Sequence, residues 1–161
     1  MRFLSFPVRT YTREEVRLAR ALINDGFRHK LKIFGSREFL TKAKDAIRLV
    51  KIADYYDFLR AYIRSIREID GLSQLREEEA SIWTNMYLLE DSVEASSFFI
   101  QKANQMKFFL EERVDYGCDG ERNAIDSRIH FLRDLEEKSE ERKIKEKCRQ
   151  KIEMWEDSKF L

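Results

Sequence analysis

The sequence contains few of the residues that interrupt a helix or bind a metal ion. It has one proline and five glycines in 161 residues, and only two cysteines and two histidines. An all-β fold needs many more turn residues, so their scarcity indicates long, uninterrupted helices. Cys118 and Cys148 each lack a CxxC neighbour, and this spacing predicts neither a disulfide framework nor a structural zinc site.

Targeting and membrane-spanning patterns are absent as well. No apolar run approaches the roughly 20 residues that span a bilayer. Residues 1–10 have neither the apolar core nor the small-residue cleavage site of a signal peptide. We therefore expect a protein of the reducing cytoplasm that does not enter a membrane.

The apolar content is sufficient for a packed core. Hydrophobic residues make up 43% of the chain, and the aromatic residues are 12 Phe, 6 Tyr and 2 Trp. A chain of this length buries roughly two thirds of its unfolded surface, which argues against a disordered protein. We expect a single domain over 1–161, with an N-terminal segment and helix at 1–28, a core at 29–135 and a charged C-terminal helix at 136–161.

Charge is distributed unevenly, although the whole chain carries a net charge of +1. Residues 1–51 contain 13 basic and 5 acidic side chains, whereas the rest of the chain contains 18 basic and 25 acidic ones. Such a basic segment is typical of a surface that meets an acidic protein, the acidic half of the same chain, or a nucleic acid. For nucleic acid, the candidate residues lie at helical spacing in two groups, which are Arg13, Arg17 and Arg20, and then Arg37, Lys44, Arg48 and Lys51.

Start and stop signals divide the first half of the chain into elements. The capping box Thr12–Glu15 predicts the start of a first helix, and Gly26 predicts its end. Alternating apolar and polar residues predict a short strand at 29–34. Ser36 caps a long helix over 37–69, which ends where an Asp-Gly pair follows.

The second half combines one ambiguous segment with clear helices. Residues 80–89 have helical spacing but the composition of a strand, so both structures stay open there. The other predicted elements are a helix over 92–114 capped by Asp91 or Ser92, a loop at 116–120, a helix over 121–135 and the C-terminal helix. Together they predict a mainly α protein, an α+β fold with a small β element, in which long helices pack around one core.

One helical segment has the pattern of a zinc-hydrolase motif without its functional residues. It reads Gln101-Lys102-Ala103-Asn104-Gln105 and lies between apolar helical turns. In HExxH, two histidines four residues apart bind the ion from one helix face, and the glutamate takes a proton from the metal-bound water. Here Gln101 and Gln105 replace the ligands and Lys102 replaces the base, so we predict no metal, no cofactor and no peptidase activity. His29 and His130 are interpreted as structural residues.

Three segments together resemble short, single-domain zinc-peptidase-like proteins of the zincin type. They are a strand that enters a helix at Gly-Ser over Lys32–Phe39, the small-residue approach to the motif over Ala95–Gln105, and the loop and helix over Tyr116–Ala124. The resemblance implies a zincin-like helix pair, 92–114 and 121–135, within the core at 29–135. It also implies that Glu121, sixteen residues after Gln105, occupies the position of the third, carboxylate ligand.

We interpret the chain as a catalytically inactive zincin-like domain that acts through protein–protein contact, with a vestigial site at Gln101, Lys102, Gln105 and Glu121. Two alternatives stay open. The first is a nucleic-acid-binding helical protein that uses the basic N-terminal third, although the aromatic residues there do not alternate with the basic ones. The second is an unrelated helical bundle that self-associates through its C-terminal helix.

Overall fold

The computed structural model describes residues 5–111 and 118–159, apart from the side chains of 118–122. The helices are α1 (Arg13–Asn24), α2 (Arg37–Ile52), α3 (Tyr56–Tyr62), α4 (Ser92–Leu110), α5 (Cys118–Lys138) and α6 (Arg142–Ser158). The strands are β1 (Lys32–Phe34), β2 (Ser65–Glu68), β3 (Gln74–Arg76) and β4 (Ser81–Thr84), with short 3₁₀ turns at Glu77–Glu79 and Leu88–Glu90. The predicted fold class, mainly α with a small β element, is confirmed.

Both ends of α1 follow from the local sequence. The Glu15 N–H donates to Thr12 Oγ1 at 3.2 Å, and the Thr12 N–H donates to Glu15 Oε1 at 2.8 Å, which completes the predicted capping box. At the other end Gly26 has φ +103°, and the N–H groups of Gly26 and Phe27 bond back to carbonyls of the last turn. A residue without Cβ adopts this left-handed conformation at little cost, so the helix ends where the glycine predicts.

The predicted helix over 37–69 is wrong in its second half. α2 ends at Ile52 because Asp54 adopts a left-handed conformation with φ +68°, and the N–H groups of Asp54 and Tyr55 bond back to the last turn of the helix. This motif usually contains glycine, so no stop signal was visible in the sequence. The chain then forms α3 and the strand β2, in which Ile66 is buried, and the helical spacing of the isoleucines there is coincidental.

Two strand predictions are also settled. β1 contains only the last three residues of the predicted strand at 29–34. The left-handed conformation of Leu31, with φ +56°, interrupts the extended run before it. The ambiguous segment 80–89 forms β4 and the start of a 3₁₀ turn, because Ile82 is buried beside Ile66 of β2 when that segment is extended.

The strands form one mixed sheet with the order β1-β2-β4-β3. β1, β2 and β4 are parallel, and β3 is an antiparallel edge strand. The pairing register aligns one apolar residue from each strand in a row that faces the core, namely Ile33, Ile66, Ile82 and Leu75. Because side chains alternate along a strand, the residues next to these face the opposite side of the sheet.

α4 is the central helix of the core, and ten of its nineteen residues are buried. Asp91 caps it by accepting hydrogen bonds from the first turn. The hydroxyl groups of the buried Ser96 and Ser97 donate to carbonyls one turn earlier, at 2.8 and 3.0 Å. These small side chains allow α2 and α5 to pack closely against α4.

The last three helices begin or end at slightly different residues than predicted. α4 ends at Leu110, four residues before the predicted end at 114. α5 starts at Cys118, so residues 118–120 are helical where a loop was predicted, while the rest of that loop lies outside the described residues. The predicted C-terminal helix at 136–161 is divided, because α5 continues to Lys138 and α6 begins at Arg142. α6 packs against the core through an apolar stripe that consists of Ile144, Cys148, Ile152 and Trp155.

Candidate functional site

The helix face that contains the HExxH-like segment packs against α5. Asn104 Nδ2 on α4 donates to Ser127 Oγ on α5 at 3.0 Å. Arg128 Nε donates to Gln101 Oε1 at 2.6 Å. α4 and α5 therefore pack against each other, and polar groups of this interface are joined by direct hydrogen bonds.

Gln105 and Lys102, two further residues of the vestigial site, bond to each other. Lys102 Nζ donates to Gln105 Oε1 at 3.1 Å and lies 5.0 Å from the centre of the Phe98 ring. Burial lowers the pKa of Lys102, and the nearby charge of Arg128 lowers it further. The two glutamine side chains at the predicted ligand positions thus each accept a hydrogen bond from a cationic group.

Arg128 is the most deeply buried cation in the described part of the chain, with 6% of its surface exposed. Besides Gln101, its guanidinium donates to Glu94 Oε1 at 2.5 Å and to Ser97 Oγ at 3.4 Å. The Trp155 ring centre lies 4.6 Å from it. Burial lowers the pKa of Arg128 while the Glu94 carboxylate opposes that shift, and an arginine remains charged under such conditions.

The ion pair of Arg128 and Glu94 extends to α6. Lys151 Nζ lies 3.0 Å from Glu94 Oε2 and 2.8 Å from Asp91 Oδ2. Burial alone would lower the pKa of Lys151, but its bonds to Asp91 and Glu94 raise it. Two carboxylates and two cations therefore connect the first turn of α4 to both α5 and α6.

Sequence reasoning missed this network. Its signal was present, because residue 128 lies three residues after Ile125 and four before Leu132 along the helix, and both Ile129 and Leu132 are buried. A charged residue at an inward helix position requires a buried partner. Which carboxylate supplies that partner depends on a contact 34 residues away in sequence, and no local pattern specifies it.

The arrangement around Gln101 and Gln105 is poorly suited to a divalent metal ion. Amide oxygens are weak zinc ligands beside imidazole or thiolate, and Lys102 and Arg128 place positive charge next to both amides. Among the described side chains, no group of three or more His, Cys, Asp or Glu residues could hold a metal ion. The side chain of Glu121 lies outside the described residues, so its convergence on the other three vestigial positions stays a prediction.

The seven basic residues of the nucleic-acid alternative are all exposed, but they lie on two helices. On α2, Arg48 is paired with Asp45 at 3.1 Å and with Glu141 at 3.2 Å, and Lys51 lies 4.6 Å from the Tyr56 ring centre. The candidates on α1 are Arg13, Arg17 and Arg20. The described ion pairs include none of these three arginines, so α1 presents the less neutralised of the two basic faces.

The two histidines have different environments. His29 is buried between the rings of Phe6 and Phe27, with ring centres 4.4 and 5.0 Å away. His130 is exposed on α5. The burial of His29 agrees with its interpretation as a structural residue, whereas the same interpretation of His130 stays a prediction.

Comparison with known proteins leaves the function to be inferred from this geometry, since no family model, no curated protein and no solved structure matches the chain. The resemblance to zincins accordingly stays a prediction. Within residues 5–111 and 118–159, no helix has both the length and the apolar content required to cross a membrane.

Proposed function

We propose that this protein is a catalytically inactive, zincin-like domain that acts by binding another protein. The inactive part of the proposal is supported by the contacts of Gln101 and Gln105, which accept hydrogen bonds from Arg128 and Lys102. A zinc ion at these amides would meet two cations within a partly buried interface, where charge repulsion is weakly screened. The binding part rests on a separate surface at one end of the sheet.

This surface, called here the Leu72–Tyr87 surface, consists of the loops 69–73 and 85–87. Leu72 and Tyr87 are each 86% exposed, the two highest exposures among the large hydrophobic residues of the described chain. Single exposed apolar residues are common, but here two line the same groove. This pairing is the observation that carries the proposal.

Hydrogen bonds connect the two loops, so the apolar residues stand on an ordered base. Asn85 Nδ2 donates to the Gly71 carbonyl at 2.9 Å, and the hydroxyls of Ser73 and Thr84 bond to each other at 2.8 Å. Asn85 Oδ1 also accepts from the Leu88 N–H at 3.0 Å. Ordered loops lose little conformational entropy on binding, which favours their use as a docking site.

The carboxylates beside Leu72 and Tyr87 are already paired with cations of the chain. Glu90, Asp91 and Glu94 line the groove. Lys42 pairs with Glu90 at 2.5 Å, Lys151 pairs with Asp91 and Glu94, and Arg128 pairs with Glu94. Because these pairs balance the charge of the rim, the exposed apolar side chains are what the groove offers to a partner. We therefore infer that the partner is a protein that presents an apolar anchor residue to this groove.

Site-specific photocrosslinking tests this proposal. The photoreactive residue p-benzoylphenylalanine replaces Tyr87 in one variant and Tyr11 in a matched control, because Tyr11 is also highly exposed, at 79%, but lies outside the Leu72–Tyr87 surface. After irradiation in the native host, we expect one discrete protein adduct at position 87 and none at 11. Leu72→Ser should remove that adduct. An adduct at both positions, or at neither, would overturn the proposal, and a homodimeric adduct would identify a second copy as the partner.

The absence of a metal is tested independently. Elemental analysis of the desalted protein should find no stoichiometric zinc, and about one zinc per chain would refute the inactive assignment. The variant Gln101→His, Lys102→Glu, Gln105→His restores the motif, and combining it with Arg128→Met removes the neighbouring charge. If the zincin resemblance is correct, zinc should raise the melting temperature of this variant alone, because a ligand stabilises the state that binds it.

A further inference from the structure

The sheet has one face that the helices leave partly open. Its inward residues lie in the core, whereas the register aligns a second row on the opposite face, which contains Phe34, Arg67, Trp83 and Gln74. Phe34 is 40% exposed, Arg67 and Gln74 are exposed, and Trp83 is half-buried. One row nearer the start of β2, Ser65 and Ser81 are buried and bond to each other at 2.8 Å. The open part is therefore a strip across the sheet, one row wide.

Two guanidinium groups lie beside the aromatic rings of this strip. Arg67 lies between Phe34 and Trp83 in the register, and its guanidinium carbon is 4.5 Å from the Phe34 ring centre. Arg76 of β3 belongs to the neighbouring row, opposite Ser81, and its guanidinium carbon lies 4.3 Å from the Trp83 ring centre. The sequence hid this arrangement, because the four residues come from four different strands.

This combination of groups complements single-stranded nucleic acid. Unpaired bases stack on aromatic rings and on guanidinium planes, and arginines pair with the backbone phosphates. Neighbouring strands are about 4.8 Å apart, so the two aromatic residues are separated by roughly 10 Å, a spacing that places one base on each ring. Lys32 on the outward face of β1 and the two arginines supply positive charge, and Glu78 is an acidic group that contacts Arg76, at 3.1 Å.

We propose that this strip binds single-stranded nucleic acid, with bases stacked on Phe34 and Trp83 and phosphates paired with Arg67 and Arg76. The site uses none of the basic helix residues that the sequence alone singled out. It also shares no residue with the Leu72–Tyr87 surface, so this proposal and the proposed protein partner are tested independently.

Binding is measured by fluorescence anisotropy with labelled RNA and DNA strands of about ten nucleotides, and with the corresponding duplexes. We expect both single strands to bind more tightly than either duplex, and the comparison of RNA with DNA identifies the preferred sugar. A Trp155→Phe variant leaves Trp83 as the single tryptophan of the chain, and its fluorescence should be quenched when a base stacks on it.

Substitutions separate stacking from charge. Phe34→Ala should weaken single-strand binding by roughly 5- to 150-fold, whereas Phe34→Tyr should retain it and Met154→Ala, at an exposed site on α6, should not change it. Circular dichroism should show that Phe34→Ala folds, because that side chain lies outside the core. Arg67→Gln should weaken binding and reduce the salt dependence by one phosphate contact.

The slope of log affinity against log salt distinguishes this site from the basic helices. Three cations on the sheet face predict a slope of about −2, whereas all seven helix residues predict about −5, at roughly −0.7 per contact for single strands. A slope near −5 that falls to about −3 in the combined variant Arg13→Ala, Arg17→Ala, Arg20→Ala, at roughly −0.7 per contact, would overturn the proposal. Equal binding of duplex, unchanged Trp83 fluorescence, or no binding at micromolar protein and low salt would do so as well.

Discussion

Replacing the buried His29 by phenylalanine should make the stability of the protein less sensitive to acid. His29 is 4% exposed, and its Nε2 atom has no hydrogen-bond partner in the described part of the chain. Its main chain is held by Arg60, which accepts from the His29 N–H at 2.8 Å and donates to its carbonyl at 2.7 Å. These main-chain bonds survive the substitution, and a phenyl ring suits the contacts with Phe6 and Phe27.

The magnitude follows from the difference in proton binding between the folded and unfolded protein. Burial lowers the pKa of His29 from 6.5 to about 4, and the charges of Arg64 and Arg60 act in the same direction. The unfolded chain binds a proton near pH 6.5 that the folded protein excludes, so this contribution to stability is complete above that pH and is lost as the pH falls towards 4. At about 1.4 kcal/mol per pH unit, the free energy of unfolding falls by roughly 2 kcal/mol at pH 5 and by about 3 kcal/mol near pH 4.

Urea unfolding followed by circular dichroism at pH 7 and pH 5 measures this effect. The free energy of unfolding of the natural protein should fall by roughly 2 kcal/mol more than that of His29→Phe over this interval. His130→Gln serves as the control because His130 is exposed, and it should retain the natural pH dependence. If His29→Phe and the natural protein lose the same stability between the two pH values, His29 does not exclude a proton and the reasoning is refuted.

Three other substitutions test the packing around the core. Glu94→Gln should lower the free energy of unfolding by roughly 3–5 kcal/mol, because it leaves Arg128 charged and buried without its carboxylate. Urea unfolding measures this loss. The control is Glu146→Gln, which removes the exposed pair with Arg142 and should lower the free energy of unfolding by less than about 1 kcal/mol. Gly35→Ala should cost about 1–3 kcal/mol in the same assay, since a Cβ there would lie 2.6 Å from Phe39 Cδ1 and 2.9 Å from Glu68 Cβ. Cys148 should resist a thiol reagent in a Cys118→Ser background until urea unfolds the protein, because burial raises its pKa to about 12; rapid labelling of the folded protein would contradict this.

Local sequence signals were sufficient wherever an element is defined by its own residues. The capping box at Thr12 and the glycine at position 26 fix both ends of α1 through hydrogen bonds within a few residues. The same holds for Ser36 at the start of α2, where the hydroxyl accepts from the Phe39 N–H at 3.1 Å, and for Asp91 at the start of α4. A short-range bond depends only on sequence neighbours, so a sequence pattern can predict it.

The same signals failed where a tertiary contact overrode them. The stripe of isoleucines after residue 60 has helical spacing, yet it forms a strand because β1 and β4 provide pairing partners on both sides. Propensity is a weak preference, and burial of Ile66 within the sheet outweighs it. The stop at Asp54 was hidden for a related reason, since aspartate adopts a left-handed conformation far less readily than glycine and marks a helix end less clearly.

The candidate sites depend on local sequence and on tertiary contacts in different ways. The sequence by itself determined that the HExxH-like helix lacks ligands and a base, because that conclusion needs only the identity of residues 101, 102 and 105. Tertiary structure alone decided that Arg128 pairs with Glu94 and that Arg67 lies between Phe34 and Trp83. Helix packing and strand pairing join residues that are distant in the chain, and the register of those contacts is set by the burial of the whole core, which no local pattern encodes.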